Sequence, residues 1–254
     1  MNSLKNSEFH SKKNIFLISM INNCIPIFYF YFCLPLMNAL VAYTINENDF
    51  VLSPERVMYW EKQKTLIIAD LHIGKTGHFR KSGIPVPQNV FKEDLQRLFT
   101  QILFFKAEKL IIAGDLSHSK SNKEMDLFKK WRNDLDALEM ILVNGNHDIL
   151  DETWYDELRI ETKDCLDIGD FSFCHDPDDA SVKDPAHYTF CGHLHPGISI
   201  RGRGRQFLQF PCFYFGNNIG ILPAFSRFTG CVNVNAQEGE NVFAIVENGI
   251  MQVQ

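Results

Sequence analysis

The chain has 254 residues, 45% of them hydrophobic and 22% charged, an ordinary globular composition whose length suits one large domain with a substantial core. Its formal net charge of −6 at pH 7 excludes a globally basic nucleic-acid binder, so any such affinity has to be local. The seven Cys are scattered (Cys24, Cys33, Cys165, Cys174, Cys191, Cys212 and Cys231) with no C-x-x-C pair, which argues against a disulfide framework or zinc knuckle and fits a reducing, cytoplasmic compartment.

Residues 1–36 differ from the rest. Lys5, Lys12 and Lys13 precede an apolar run from Ile25 to Leu36, which Pro26 and Pro35 interrupt. A transmembrane helix needs ~20 mostly apolar residues, and Asn22, Asn23, Pro26, Pro35 and Asn38 break this one. A signal peptide would need a better small-residue cleavage site. The alternatives are a disordered tail or translation from Met37, so the expected domain is 37–254, with no stable membrane association. Without residues 1–36 the chain carries 22 basic and 30 acidic residues, a net of −8.

Further along, short apolar runs end on polar residues. Thr65–Ala69 leads to Asp70, Leu110–Ala113 to Gly114-Asp115, and Met140–Val143 to Asn144-Gly145-Asn146-His147-Asp148. Phe171–Cys174 leads to His175 and Tyr188–Cys191 to Gly192-His193. Continuous runs of this length predict strands buried on both faces. Between them, residues 88–105 place Phe91, Leu95, Leu98, Phe99, Ile102 and Phe105 on one helical face. Residues 122–138 do the same with Met125, Phe128, Trp131, Leu135 and Leu138, and Asn122 can cap that helix. After about residue 185 the pattern changes to short strands and glycine-rich turns. The expectation is an α/β sandwich whose functional residues stand on loops at one edge of the sheets. The 22 Phe fall mostly at core spacing and make no platform for single-stranded DNA.

Five of the nine His, namely His72, His147, His175, His193 and His195, stand at strand ends beside Asp, Asn or Gly. A single such His is usually a satisfied structural residue. Five of them in the company of Asp70, Asp115 and Asn146 would repel or stay unpaired unless a cation neutralised the group. Imidazole, carboxylate and amide ligands without thiolate suit Mn, Fe, Zn or Co better than a structural zinc site. Two ions ~3.5–4 Å apart need a bridging carboxylate and activate a water for in-line attack on phosphorus. Asp70 and His72 are two residues apart, as are His193 and His195, so alternation along an extended strand or loop would turn both members of each pair to one side.

Asp70-Leu71-His72, Gly114-Asp115, Gly145-Asn146-His147-Asp148, His175 and Gly192-His193-Leu194-His195 together resemble the motif set of the calcineurin-like metallophosphoesterase superfamily. The resemblance implies a four-layer sandwich of two mostly mixed β-sheets flanked by helices, with a dinuclear metal site at strand-end loops. It implies that Asp70, His72 and His195 hold a first divalent metal, that Asn146, His175 and His193 hold a second, and that Asp115 bridges them. Mn²⁺ is the expected ion, with Fe, Zn and Co also compatible. His147 would then donate a proton to the leaving oxygen or stabilise the transition state, with Asp148 orienting its ring.

A closer likeness runs from about residue 40 to the C-terminus. Ile73-Gly74-Lys75, Phe79-Arg80, Gly83-Ile84-Pro85-Val86-Pro87, Leu116-Ser117-His118-Ser119, Pro196, Leu222-Pro223-Ala224-Phe225 and Phe228-Thr229-Gly230 resemble the bacterial ligase-associated DNA damage response endonucleases. Cys231 departs from that pattern, which usually has a second glycine. This likeness implies DNA as the substrate, a setting in DNA repair, and an ATP-dependent DNA ligase and a helicase as associates.

Lys75, Arg80 and Lys81 could form a basic rim for substrate phosphates or a solvated loop, and His118 could line the pocket or lie at the surface. Arg201, Arg203 and Arg205 could face DNA, though charges on a hairpin edge are more often mere surface. The Leu222–Gly230 stretch could be a recognition loop, but apolar Leu222, Phe225 and Phe228 favour support of the loops beneath the metal site. Three functions compete: a DNA endonuclease in repair, a phosphoesterase of small or cyclic nucleotides, and a binding subunit that keeps the site as a scaffold. The acidic charge favours small substrates and the extended resemblance favours DNA. The scaffold is disfavoured because no ligand is missing.

Overall fold

The predicted apolar runs become the central strands in a computed structural model of the chain, which describes residues 40–254 apart from 88, 120–121, 181–186, 202–206 and 248. Residues 1–36, with every reading of them, and Arg203 and Arg205 lie outside the described residues.

The first sheet opens with strands β1 (Val41–Ile45), β2 (Asn48–Ser53) and β3 (Val57–Trp60), which run antiparallel into β4 (Thr65–Ile68). From β4 the pairing turns parallel through β5 (Lys109–Ala113), β6 (Glu139–Val143) and β7 (Ile160–Lys163). The connections carry helices α1 (Lys75–Lys81), α2 (Val90–Phe105), α3 (Lys123–Asn133) and α4 (Glu152–Glu157). The pleat sorts the central strands: Leu66, Ile68, Leu110, Ile112, Met140 and Leu142 face the helices, where Leu98 and Phe128 meet them. Alternate residues Ile67, Ala69, Ile111, Ala113 and Val143 face the second sheet. Both faces are therefore buried, which is why these strands read as unbroken apolar runs.

The second sheet comprises β8 (Leu166–Ile168), β9 (Phe171–Phe173), β10 (Tyr188–Cys191), β11 (Pro196–Arg201), β12 (Phe207–Phe215), β13 (Ile219–Ile221) and β14 (Val232–Asn233). Its spatial order is β14-β11-β12-β13-β10-β9-β8, with β15 (Asn241–Val246) and β16 (Gly249–Gln252) branching from β12. Phe171, Phe173, Phe190, Phe213, Phe215 and Phe243 fill the space between the sheets together with Phe50 and Trp60, so the high Phe content serves the core. Burying one such ring contributes ~1.5–3 kcal/mol.

The α/β sandwich of two mixed sheets is as expected. Of its layers, α2–α4 cover the first sheet, while the second sheet receives one single-turn helix among the described residues, α5 (Pro177–Ala180). Asn122 caps α3 as predicted, its Oδ1 accepting from the backbone N–H of Glu124 and Met125. That helix stops at Asn133 rather than 138. No helix among the described residues is long and apolar enough to cross a membrane.

Candidate metal centre

The site residues leave the sheets at one edge. Asp70 follows β4 by two residues, Asp115 follows β5 by two, Asn146 follows β6 by three, and His175 and His193 follow β9 and β10 by two. Neighbouring strands bring these ends side by side: β4, β5 and β6 are adjacent in one sheet, and β9 and β10 in the other.

Beyond the strand ends the chain does not continue as a pleat. Asp70 (φ 55), His72 (φ 51), Asp115 (φ 52), His193 (φ 64) and His195 (φ 47) all adopt the left-handed region, which non-glycine residues enter at a cost of ~1–3 kcal/mol each. The expectation that Asp70/His72 and His193/His195 reach the site by strand alternation is thus corrected: each pair turns inward through two left-handed residues. Neighbouring backbone holds the turns, with Asp70 N–H donating to Gly114 O (3.1 Å) and His72 N–H to Asp115 O (2.8 Å).

Two glycines make the close approach possible. A Cβ on Gly114 would lie 1.9 Å from His175 Nδ1, and one on Gly145 would lie 2.3 Å from Asp115 Oδ1. Underneath, Phe225 N–H donates to Ala69 O (2.7 Å) and Ser226 N–H to Asp70 O (3.2 Å). The 222–230 stretch thereby supports the strand end that carries Asp70.

One group of ligand atoms comes from Asp70, His72 and His195. His195 Nε2 lies 3.4 Å from Asp70 Oδ1 and 3.4 Å from His72 Nε2. Asp70 Oδ2 and His72 Nδ1 are buried without a hydrogen-bond partner. A second group comes from Asp70, Asp115 and His175. His175 Nε2 lies 3.1 Å from Asn146 Oδ1, 3.1 Å from His193 Nδ1 and 3.4 Å from Asp115 Oδ1. His175 Nδ1 faces the carbonyl of Ala113 at 3.2 Å. A carbonyl only accepts, so the ring proton sits on Nδ1 and Nε2 presents a lone pair. That lone pair then faces two further oxygen acceptors with no proton to share. Such an arrangement of facing acceptors fits a cation between them.

Asp115 reaches both groups, with Oδ2 3.8 Å from His72 Nδ1 and Oδ1 3.4 Å from His175 Nε2. Burial, followed by Lys75 and the neighbouring imidazoles, pushes His72 down to about 2, which keeps its ring in the neutral form that ligates metal.

The flanking residues divide. His147 stands beside this centre, its ring 4.5 Å from that of His118 and 5.6 Å from that of His72. Its N–H donates to Asp115 Oδ1 (3.0 Å), and its carbonyl accepts from Ser117 Oγ (3.2 Å). His118 is half-buried, and burial followed by His147 and Lys75 pushes it down to about 4. Lys75 opens α1 close enough to Asp70 and Asp115 that their charges oppose the lowering of its pKa by burial.

Two expectations need correcting. Asp148 does not orient the His147 ring through its carboxylate: Oδ1 accepts from Ser117 N–H (2.8 Å) and Oδ2 from Gly145 N–H (2.9 Å), so it braces the loop. Burial, partly offset by these bonds, raises it to about 6. Arg80 is not a free contact for substrate, because its guanidinium pairs with Glu124 (2.6 Å) and donates to Thr76 Oγ1 and Pro87 O.

Asp176 was not anticipated. Its Oδ2 lies 3.5 Å from His193 Nε2, on the opposite side of that ring from His175, and the only signal was its place directly after His175.

The sequence profile of the calcineurin-like phosphoesterase family matches residues 63–203, over half of the chain. Among solved structures, the Pseudomonas putida nuclease MPE is similar over 84% of this chain and 100% of its own, with TM-score 0.70 and 24% identity. The E. coli phosphoesterase Yfce covers 74% of this chain and 97% of its own, with TM-score 0.40 and 13% identity. No curated protein matches the chain.

Proposed function

This chain belongs to the calcineurin-like phosphoesterase family, and from that premise we propose that it hydrolyses phosphodiester bonds in DNA with two divalent ions held by its own side chains. The observation that carries this reading is the convergence of ligand atoms from buried Asp70, His72, Asp115 and His175, joined by His195 and by the Oδ1 of exposed Asn146. Asp70, His72 and His195 would hold one ion, and Asn146, His175 and His193 the other, with Asp115 serving both. Mixed nitrogen and oxygen donors favour Mn²⁺ over Mg²⁺, which prefers oxygen and keeps its waters. Bound there, such ions lower the pKa of water toward neutrality and offset negative charge at phosphorus.

The protein does the rest with fixed groups. The backbone of His147 is pinned by Asp115 and Ser117, which sets its imidazole beside the centre to give a proton from a ring N–H to the leaving ester oxygen. Asp148 holds the loop that carries it. Lys75, whose Nζ donates to Thr229 Oγ1 (3.3 Å), adds a positive charge at the edge of the carboxylate cluster, which would attract an anionic substrate.

An endonucleolytic role in DNA repair, in company with an ATP-dependent DNA ligase and a helicase, rests on the motif resemblance, and the likeness in fold to a nuclease supports a nucleic-acid substrate. The test is the purified chain with Mn²⁺ on plasmid, single-stranded DNA, bis-p-nitrophenyl phosphate and cyclic nucleotides. Nicked plasmid and internal cuts in single strands are expected. Hydrolysis confined to the small esters would replace DNA with a small-nucleotide substrate.

A further inference from the structure

A groove of about 700 Å³ lies between α1, α2 and the start of α3, within the range of volumes that ligand sites occupy. Lys81, Lys92 and Lys123 stand on its walls and are exposed. Among the described residues, Lys92 and Lys123 have no ion-pair partner. The acidic residues on the same walls are Asp126 and Glu124. Glu124 is buried and committed: its Oε1 accepts from Thr76 and Arg80. Its other oxygen, Oε2, is buried with no partner at all. A carboxylate oxygen in that state lacks a donor.

Distance ties the groove to the centre. Helix α1 begins at Lys75, beside Asp70 and Asp115, and ends at Lys81 on the groove wall. Six helical rises span about 9 Å. A DNA strand carries one phosphate per ~3.4 Å of duplex axis, so about two to three phosphates separate the two places.

We propose that this groove holds the strand flanking the scissile phosphodiester, with Lys92 and Lys123 on its phosphates. The inference rests on the reading of the chain as a DNA phosphodiesterase. Phosphate contacts of this kind position a strand without reading its sequence, so the groove should give affinity and register and no sequence preference.

The test uses the full chain loaded with Mn²⁺, single-stranded oligonucleotides of increasing length, and the Lys92→Ala/Lys123→Ala double variant. In the parent protein kcat/KM should rise with length until the strand covers the groove. The variant should lose that gain through KM, by about tenfold, and its salt dependence should become shallower by about 1.4 log units per log unit of salt. An unchanged length dependence and salt slope in the variant would overturn the groove assignment. A parent protein that cleaves bis-p-nitrophenyl phosphate and no oligonucleotide of any length would instead overturn the DNA reading beneath it.

Discussion

Replacing Arg97 with Met tests how the scaffold holds Asp70 in place. Arg97 lies on α2 with its side chain 8% exposed, and its Nη2 pairs with Asp94 Oδ1 at 2.8 Å. It also donates to Phe225 O, and its guanidinium carbon lies 4.0 Å from the centre of the Phe225 ring. Phe225 and Ser226 in turn bind the backbone of Ala69 and Asp70. Burial pushes Arg97 down to about 10, so it remains charged near neutral pH. Its loss removes the ion-pair partner of the Asp94 carboxylate, which is 2% exposed and keeps a hydrogen bond from Arg227 N–H (3.3 Å).

Breaking a buried pair of this kind costs ~3–5 kcal/mol. At ~2–4 °C per kcal/mol for a domain of this size, Tm should fall by roughly 6–20 °C. Burial already raises the pKa of Asp94 against the pull of Arg97, and removing Arg97 raises it further. The folded variant then binds more protons than the unfolded chain above the unfolded carboxyl value of ~3.9, so its stability falls as pH rises through that window. The Tm deficit should therefore be large at neutral pH and shrink toward acid. Adding Asp94→Leu should recover part of it, because no charge stays buried alone. Thermal melts from pH 4 to 8 read all three effects. A shift under ~2 °C, or a deficit that does not depend on pH, would refute the reasoning.

Gly145→Ala should push the Asp115 carboxylate aside, since its Cβ would meet Oδ1 at 2.3 Å; elemental analysis should show less bound metal, with ~1–3 kcal/mol lost from stability. His147→Ala should keep its metal and lose ~10²–10⁴-fold in rate, with a smaller loss for p-nitrophenolate esters, whose leaving group needs little protonation. An empty second metal position in that variant, or equal losses for good and poor leaving groups, would make His147 a ligand or a structural residue. Asp148→Asn sets an amide N–H₂ against one of two backbone donors, so Tm should fall by an amount equivalent to ~1–3 kcal/mol. A change in rate with no change in Tm would return Asp148 to the ring of His147.

The parallel strands were legible because burial on both faces writes a continuous apolar run, and each run stopped where chemistry began. The helices were legible through Phe91, Leu95, Leu98 and Ile102 on one face and Met125 and Phe128 on another. What the sequence could not express was backbone hand. D-x-H and H-x-H read as pleated pairs, and the left-handed turns at Asp70, His72, His193 and His195 depend on partners far away in the chain: the backbone of Gly114, Asp115 and Val232, and the Asp70 carboxylate. The same distance hid the occupation of Arg80 by Glu124, 44 residues on, and of Asp148 by Ser117, 31 residues back. Asp94 and Gln101 interrupt the apolar face of α2 and look like surface residues. Their partners Arg97, Arg227 and Ser53 explain the burial only once the fold brings them together.

The central claim is that the converging acceptors hold catalytic divalent ions. Its most direct test is hydrolysis of bis-p-nitrophenyl phosphate by chelator-stripped protein titrated with Mn²⁺, with bound metal measured in parallel. The account predicts no hydrolysis before addition, recovery that saturates at about two ions per chain, and no recovery in Asp115→Ala. Full hydrolysis in excess chelator, or a titration in which Asp115→Ala behaves as the parent protein does, would contradict it.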